Sequence, residues 1–248
     1  CIRDSSNYMF SLADKHNFTV MAGYQEENYA YSYLYESVTD MISTNNPGLN
    51  LGTGEKSTTD TRNGWATRGF FGRINYDYDG RYLLEVNGRY DGSSRFASDH
   101  RWGFFPSVSL GWNITRESFM EKSLEVLSNL KLRASWGLLG NQSGAGLYTF
   151  TSIMGIQPLG NWYFQDGRDM YINAPGVIDP FTTWEKVESK NLGLDFGFFN
   201  NALTGTFDVF QRDTKDMLGP SADLADFFGA EAPNTNNARM RNRGWEPV

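Results

Sequence analysis

From Phe70 onward the chain alternates apolar and polar positions with a period of two, the signature of half-buried strands. Phe70, Gly72, Ile74, Tyr76 and Tyr78 share one face, while Phe71, Arg73, Asn75 and Asp77 share the other. Asp79-Gly80 then supplies a pair of the type favoured in tight hairpins. The chain returns with Tyr82, Leu84, Val86, Gly88 and Tyr90 on the apolar face and Glu85, Asn87 and Arg89 opposite. Phe104, Pro106, Val108, Leu110 and Trp112 follow, then Leu130, Leu132, Ala134, Trp136 and Leu138, backed by Lys131 and Arg133. Leu192, Leu194, Phe196 and Phe198, backed by Asp195, precede Leu203, Gly205, Phe207 and Val209. No apolar face among these segments carries a charge. A weaker hairpin is read around Asp14-Lys15-His16-Asn17.

Alternation alone also fits a soluble sandwich, so three further features decide. The runs are about 9–11 residues, the length of a tilted strand crossing a bilayer, against about 5–6 for an average strand. Aromatic residues such as Tyr76, Tyr78, Tyr82, Trp112 and Phe198 gather near strand ends, as in an interfacial girdle. Connections alternate in length. Asp79-Gly80 and Asn200-Asn201 are short, whereas the stretches 25–65, 91–101 and 141–183 are long. The connection 114–129 differs: Met120, Leu124 and Leu127 have helical spacing, and Ser118 with Glu121 resembles a capping box. The pattern predicts an all-β fold, an antiparallel transmembrane β-barrel segment with roughly eight strands. Long extracellular loops would lie on one side and one short periplasmic helix on the other.

Composition removes several alternatives. The net charge of −7 gives no basic footprint for nucleic acid. A single cysteine, Cys1, excludes a disulfide framework, and His16 and His100 are too few for a histidine metal cluster, so neither a metal nor a cofactor is expected. The uncharged stretch 134–165 is broken by Gly137, Gly140, Gly144, Gly146, Gly155, Pro158 and Gly160, unlike a spanning helix. The first residues lack a signal-peptide layout, so an exported chain is expected either to have lost one or to start within a longer protein.

Several segments together resemble the SusC/RagA family of TonB-dependent outer-membrane transporters. They are the run from Phe71 to Phe96, Trp102-Gly103-Phe104-Phe105-Pro106-Ser107, Leu132 to Gly137 with Gly140-Asn141-Gln142, and Trp184-Glu185-Lys186. Asn191 to Asp195, Arg212 to Leu218 and Asn242 to Glu246 continue in the same order. The resemblance implies a barrel of roughly 22 strands with a plugged lumen. It also implies import of glycans or peptides, energy from the TonB–ExbB–ExbD complex, and a SusD-like surface lipoprotein as lid. On this reading residues 1–248 are a partial barrel domain, with the plug and the remaining strands absent. A non-transporting surface barrel or adhesin, and an outer-membrane hydrolase, remain as alternatives; no catalytic residue is assigned.

The resemblance gives the charged residues roles. Arg73, Asp77, Glu85, Arg89, Lys131, Arg133 and Asp195 are expected to face the lumen, packing on a plug or one another, or touching cargo. Trp162, Tyr163, Phe164 and Tyr171 are candidates for stacking on sugar rings or meeting the lipoprotein. Gly52 to Thr58 resembles a phosphate-binding loop, but Glu55 interrupts it and a polar external loop is expected. Asp166 and Asp169 near Tyr171 read as solvated loop acids rather than a glycosidase pair.

Overall fold

Strands form wherever the alternation is strong, and they pair in chain order. In the computed structural model, which describes residues 1–123, 126–158, 170–221, 225, 230 and 232–248, the strands are β1 (Ile2–Leu12), β2 (His16–Val38), β3 (Lys56–Tyr78), β4 (Tyr82–Ser93), β5 (Trp102–Asn113), β6 (Leu127–Asn141), β7 (Ile156–Pro158), β8 (Met170–Ile172), β9 (Glu185–Phe198), β10 (Leu203–Pro220) and β11 (Asn234–Pro247). Nine of them make one antiparallel sheet in the order β1-β2-β3-β4-β5-β6-β9-β10-β11, and β7 pairs with β8 alone. β1 and β11 form its two open edges.

Short turns join the strands at one end. Asp79 and Gly80 have φ of 52° and 63°, and Asn200 and Asn201 have 54° and 62°, the double left-handed signature of a type I′ hairpin turn. Asp77 accepts the Gly80 amide at 2.6 Å, so this carboxylate braces its own turn.

Register places the apolar positions in continuous rows. Phe10, Phe18, Tyr76, Leu84, Leu110, Ala134, Leu192, Val209 and Trp245 stand side by side across all nine strands. These side chains cannot be buried by the sheet itself. Leu110 remains 55% exposed and Trp245 67%, an apolar surface that water would not tolerate on this scale. On β4 the apolar positions run from Tyr82 to Tyr90, about 27 Å of strand, comparable with an apolar band about 25 Å tall.

Aromatic residues mark both limits of that band. Near the short turns, His16, Tyr78, Tyr82 and Trp112 lie in one row, with ring centroids 4.8, 6.1 and 6.5 Å apart. The Tyr82 hydroxyl (2.7 Å) and the Trp112 indole (3.0 Å) both donate to Glu117, and those two bonds hold its carboxyl below the usual carboxylate range. At the other limit Tyr90 stacks on Trp102 at 4.9 Å, and the Trp136 indole donates to Glu188 at 3.0 Å. Beyond it the same outer face turns ionic, with Lys190 and Lys215 on Glu188.

Three expectations are revised. The stretch 25–65 is mostly strand: β2 and β3 each run for 23 residues and pair throughout. Tyrosine, serine and threonine alternation supports that extension, and only residues 39–55 connect the two strands. The main sheet holds nine strands where roughly eight were expected, the ninth being Asn234–Pro247, which pairs with β10 across two register shifts. The periplasmic helix is two short 3-10 segments, Ile114–Arg116 and Ser118–Ser123, and Leu127 already begins β6.

Candidate functional site

The face opposite the apolar rows gathers the charged side chains. Arg73, Asp77, Glu85, Arg89, Lys131, Arg133 and Asp195 all occupy it, since each pairs across the sheet only with residues of the same face. Tyr76, Val86, Leu110, Leu132 and Leu194 occupy the other face without exception. An open hollow of about 520 Å³ lies against the charged face, walled by Asn17, Asn75, Glu85, Ser109, Lys131 and Arg133.

Arg133 organises the centre of this face. Its guanidinium donates to both Asp195 oxygens, at 2.7 to 3.0 Å, and to Asp208 at 3.1 Å. Reaching Asp208 means crossing β9, and the crossing point is Gly193, which stands between Arg133 and Asp208 in register. A Cβ there would lie 2.8 Å from the Arg133 Cζ and 2.4 Å from Asp208 Oδ1. Any larger residue at this position would force the Arg133 guanidinium or the Asp208 carboxylate to shift.

The other charges pair locally. Arg73 donates to Asn87 at 2.6 Å, and Asn87 donates to Glu85 at 2.7 Å. Arg89 is forked onto Asp91 at 2.9 and 3.0 Å while lying over the Phe71 ring, with Arg3 on the same ring. Phe71 in turn fills the space over Gly23, the nearest ring atom being 2.4 Å from a Cβ built there. Buried acceptors on Asn75, Asn191 and Asp208 have no partner among the described residues.

At the long-loop end the chain builds its one apolar cluster among the described residues. Phe96, Phe105, Ala145 and Trp184 form it, with Leu138 and Leu218 against it. Trp184 meets Phe96 at 5.3 Å and Phe105 edge-on at 5.4 Å, and its indole donates to the Arg101 carbonyl at 2.9 Å. Arg95 donates to the Ala145 carbonyl at 2.6 Å, and Glu185 accepts from Asn141 at 2.7 Å and from the Leu218 amide at 3.0 Å. Asn236 bonds the Thr183 amide at 2.9 Å and the Asp216 carbonyl at 2.6 Å, where Asp216 takes a left-handed φ of 55° beside a register shift. Three long connections are thus tied into one knot. In the sequence Phe96, Phe105 and Trp184 stand out only within the family-like segments, and no local pattern marks their meeting point.

Of the loop aromatics, Tyr171 lies on β8, 40% exposed, its hydroxyl donating to Gln157 at 3.2 Å. Trp162, Tyr163 and Phe164 lie outside the described residues, as do Asp166 and Asp169. Gly52 begins a short connection and Lys56 opens β3, so the loop-like motif has no phosphate-cradle geometry. No group of three potential metal ligands occurs among the described residues.

The sequence profile of the family described as "TonB dependent receptor-like, beta-barrel" matches residues 3–246. The chain belongs to that family. It is 42% identical over 155 residues to the TonB-dependent receptor SusC of Bacteroides thetaiotaomicron, covering 60% of this chain and 15% of that protein. It is 33% identical over 247 residues to TonB-dependent receptor P39 of Formosa agariphila, covering 97% of this chain and 22% of that one. The solved RagAB peptide transporter superposes with a TM-score of 0.85 at 28% identity, over 99% of this chain and 26% of that one. The siderophore receptor PirA of Pseudomonas aeruginosa, with a TM-score of 0.56 at 13% identity, shares the fold. This TonB-dependent receptor barrel is thus of the SusC/RagA type, and it spans about a quarter or less of SusC, P39 and the RagAB chain. TonB-dependent receptor barrels of this kind are outer-membrane proteins, and the relatives are receptors and transporters, not enzymes.

Proposed function

We propose that this chain is part of the wall of a larger TonB-dependent outer-membrane transporter that imports glycans or peptides together with a SusD-like surface lipoprotein. The observation that carries the reading is the division of the nine-stranded sheet into an apolar face held between aromatic limits and a reverse face that bears the Arg133–Asp195–Asp208 and Arg89–Asp91 bridges. A wall between lipid and a wet lumen needs that division; a soluble domain would bury the apolar face. The charged face, with Arg133 on Asp195 and Asp208, then lines the lumen against a plug supplied by the rest of the protein. Energy would come from the TonB–ExbB–ExbD complex acting on that plug. The stretch from Trp162 to Phe164, with Tyr171, is the loop we assign to contact with cargo or with the lipoprotein.

Deleting residues 157–171 from the complete transporter separates those two contacts. Loss of lipoprotein co-purification assigns the loop to the lid, and loss of uptake alone assigns it to cargo. Uptake that continues unchanged after removal of the TonB complex would overturn the transporter reading itself.

A further inference from the structure

We infer that the lipid-facing side of β9, β10 and β11 holds a binding site for a phosphate-bearing anionic lipid of the outer leaflet. This rests on the reading of the sheet as a membrane wall and adds a ligand to its outer face. The row Ala134, Leu192, Val209 and Trp245 crosses β6, β9, β10 and β11, and the next row toward the long loops on the same face is Trp136, Lys190, Gln211 and Arg243. An open groove of about 780 Å³ spans these two rows. Ala134, Leu192, Val209 and Trp245 line its apolar part, and Lys190, Gln211 and Arg243 line its other end. Ala134 leaves room there, since its methyl group stands in register between the larger Leu110 and Leu192.

The cations stand at the height of lipid headgroups. Lys190 is as far along β9 from its end at Phe198 as Tyr90 is along β4 from its start at Tyr82, and Tyr90 marks the long-loop limit of the apolar band. In an outer-membrane barrel the long loops face outward, so this limit belongs to the outer leaflet. Beyond Lys190 and Arg243 the same face continues with Glu188, Asp213 and Arg241, then with Lys186 and Lys215. The carboxylates are the covered members of this patch. Glu188 is 14% exposed and Asp213 3%, whereas Lys190, Lys215 and Arg241 keep 39% to 53%. Positive charge is therefore what the patch presents. Lys190 and Lys215 sit on strands paired on both sides, so that presentation does not depend on what borders β11.

A lipid with a phosphate matches both ends of the groove. An acyl chain fits along Leu192 and Val209, which Leu194 and Phe207 continue toward the short turns on that face. At the other end Arg243 gives its Nε to Gln211 at 2.9 Å, and its two terminal nitrogens have no partner among the described residues, which leaves them for the paired bonds a guanidinium makes to phosphate. Lys190 meets Glu188 at 3.1 Å, and its ammonium has further protons to donate. No carboxylate is among the described residues that line the groove. A zwitterionic headgroup would bring its own cation to a patch that is already positive, so the match is to a lipid of net negative charge. Cargo in the lumen meets the opposite face, the one that carries Arg133 and Asp208.

The test uses the complete transporter in phosphatidylcholine vesicles that carry a minor fraction of brominated lipid. Quenching of Trp245, which lines the groove, is read as the difference against Trp245→Phe. Brominated phosphatidylglycerol should quench Trp245 at lower content than brominated phosphatidylcholine, by roughly fivefold for each of the two cations. Lys190→Gln combined with Arg243→Gln should remove most of that preference. Ala134→Phe, which fills the groove and keeps both cations, should weaken quenching by the phosphatidylglycerol. An unchanged heat-modifiable band shows that each variant is folded. Equal quenching by the two lipids, a preference that the double glutamine variant retains, or quenching that Ala134→Phe leaves unchanged overturns the site and leaves the wall standing. Quenching by neither lipid overturns the wall reading itself, and the site with it.

Discussion

Gly193 shows how a single missing methyl group can hold a charge network together. Gly193→Val would place its side chain where the Arg133 guanidinium now lies, 2.8 Å from Cζ, and separate Arg133 from Asp208. A loss of about 1–3 kcal/mol is expected from such crowding, read by urea unfolding of the complete barrel in lipid vesicles. The outer face should show a depth gradient by the same measurement. Val86 lies midway between Tyr82 and Tyr90, so Val86→Arg should cost about 2–4 kcal/mol, and Tyr82→Arg at the edge about 0–1 kcal/mol. Equal costs would contradict the assigned band. Glu117 adds a pH signature at the turn side. Its carboxyl is held below 4.5 by the Tyr82 and Trp112 donors, so its stabilising effect is present above pH 4.5 and fades as pH falls through the lowered value. The Trp112 emission, taken as a difference against Trp112→Phe, should change in that acid range, and Glu117→Gln should abolish the change.

At the scale of elements, the outer part of the β2–β3 hairpin is predicted to be dispensable for the barrel. Replacing residues 30–64, the ribbon that β2 and β3 form beyond the end of β4, by an Asn-Gly turn closing the Tyr29–Trp65 pair should leave the heat-modifiable band of the complete transporter unchanged, because β4 leaves β3 at Thr67. Loss of the band would show that the ribbon supports the sheet. The same ribbon marks the limit of legibility. The faces of β3 to β6, β9 and β10 could be read because large apolar residues alternate with charged ones, as Leu132 does with Arg133. In the ribbon Tyr29, Tyr31, Tyr33 and Tyr35 alternate with Ala30, Ser32 and Leu34, and hydropathy barely separates the two sets. The period of the tyrosines themselves was the available signal. The loop knot was illegible for another reason: Trp184 reaches the Arg101 carbonyl across 83 positions of chain, and nothing local announces that meeting.

For the molecule as a whole, β1 and β11 present unpaired backbone groups at the two margins of the sheet. Hydrocarbon does not tolerate such margins. Residues 1–248 produced alone are expected to aggregate or to remain in detergent without a heat-modifiable barrel; a closed, monodisperse monomer would refute this. The paired rows carry a further consequence for the interior. The row of Asn17, Asp77, Gly111, Arg133, Gly193, Asp208 and Glu246 begins one residue from the β1–β2 and β3–β4 turns, yet at β10 it lies five residues beyond Leu203. It has climbed about 14 Å along the strands. The polar groups of the wall are therefore cut like a screw thread and do not form level rings. A solute descending beside them meets the bridged Arg133 and Asp208 first and Asp77 deeper.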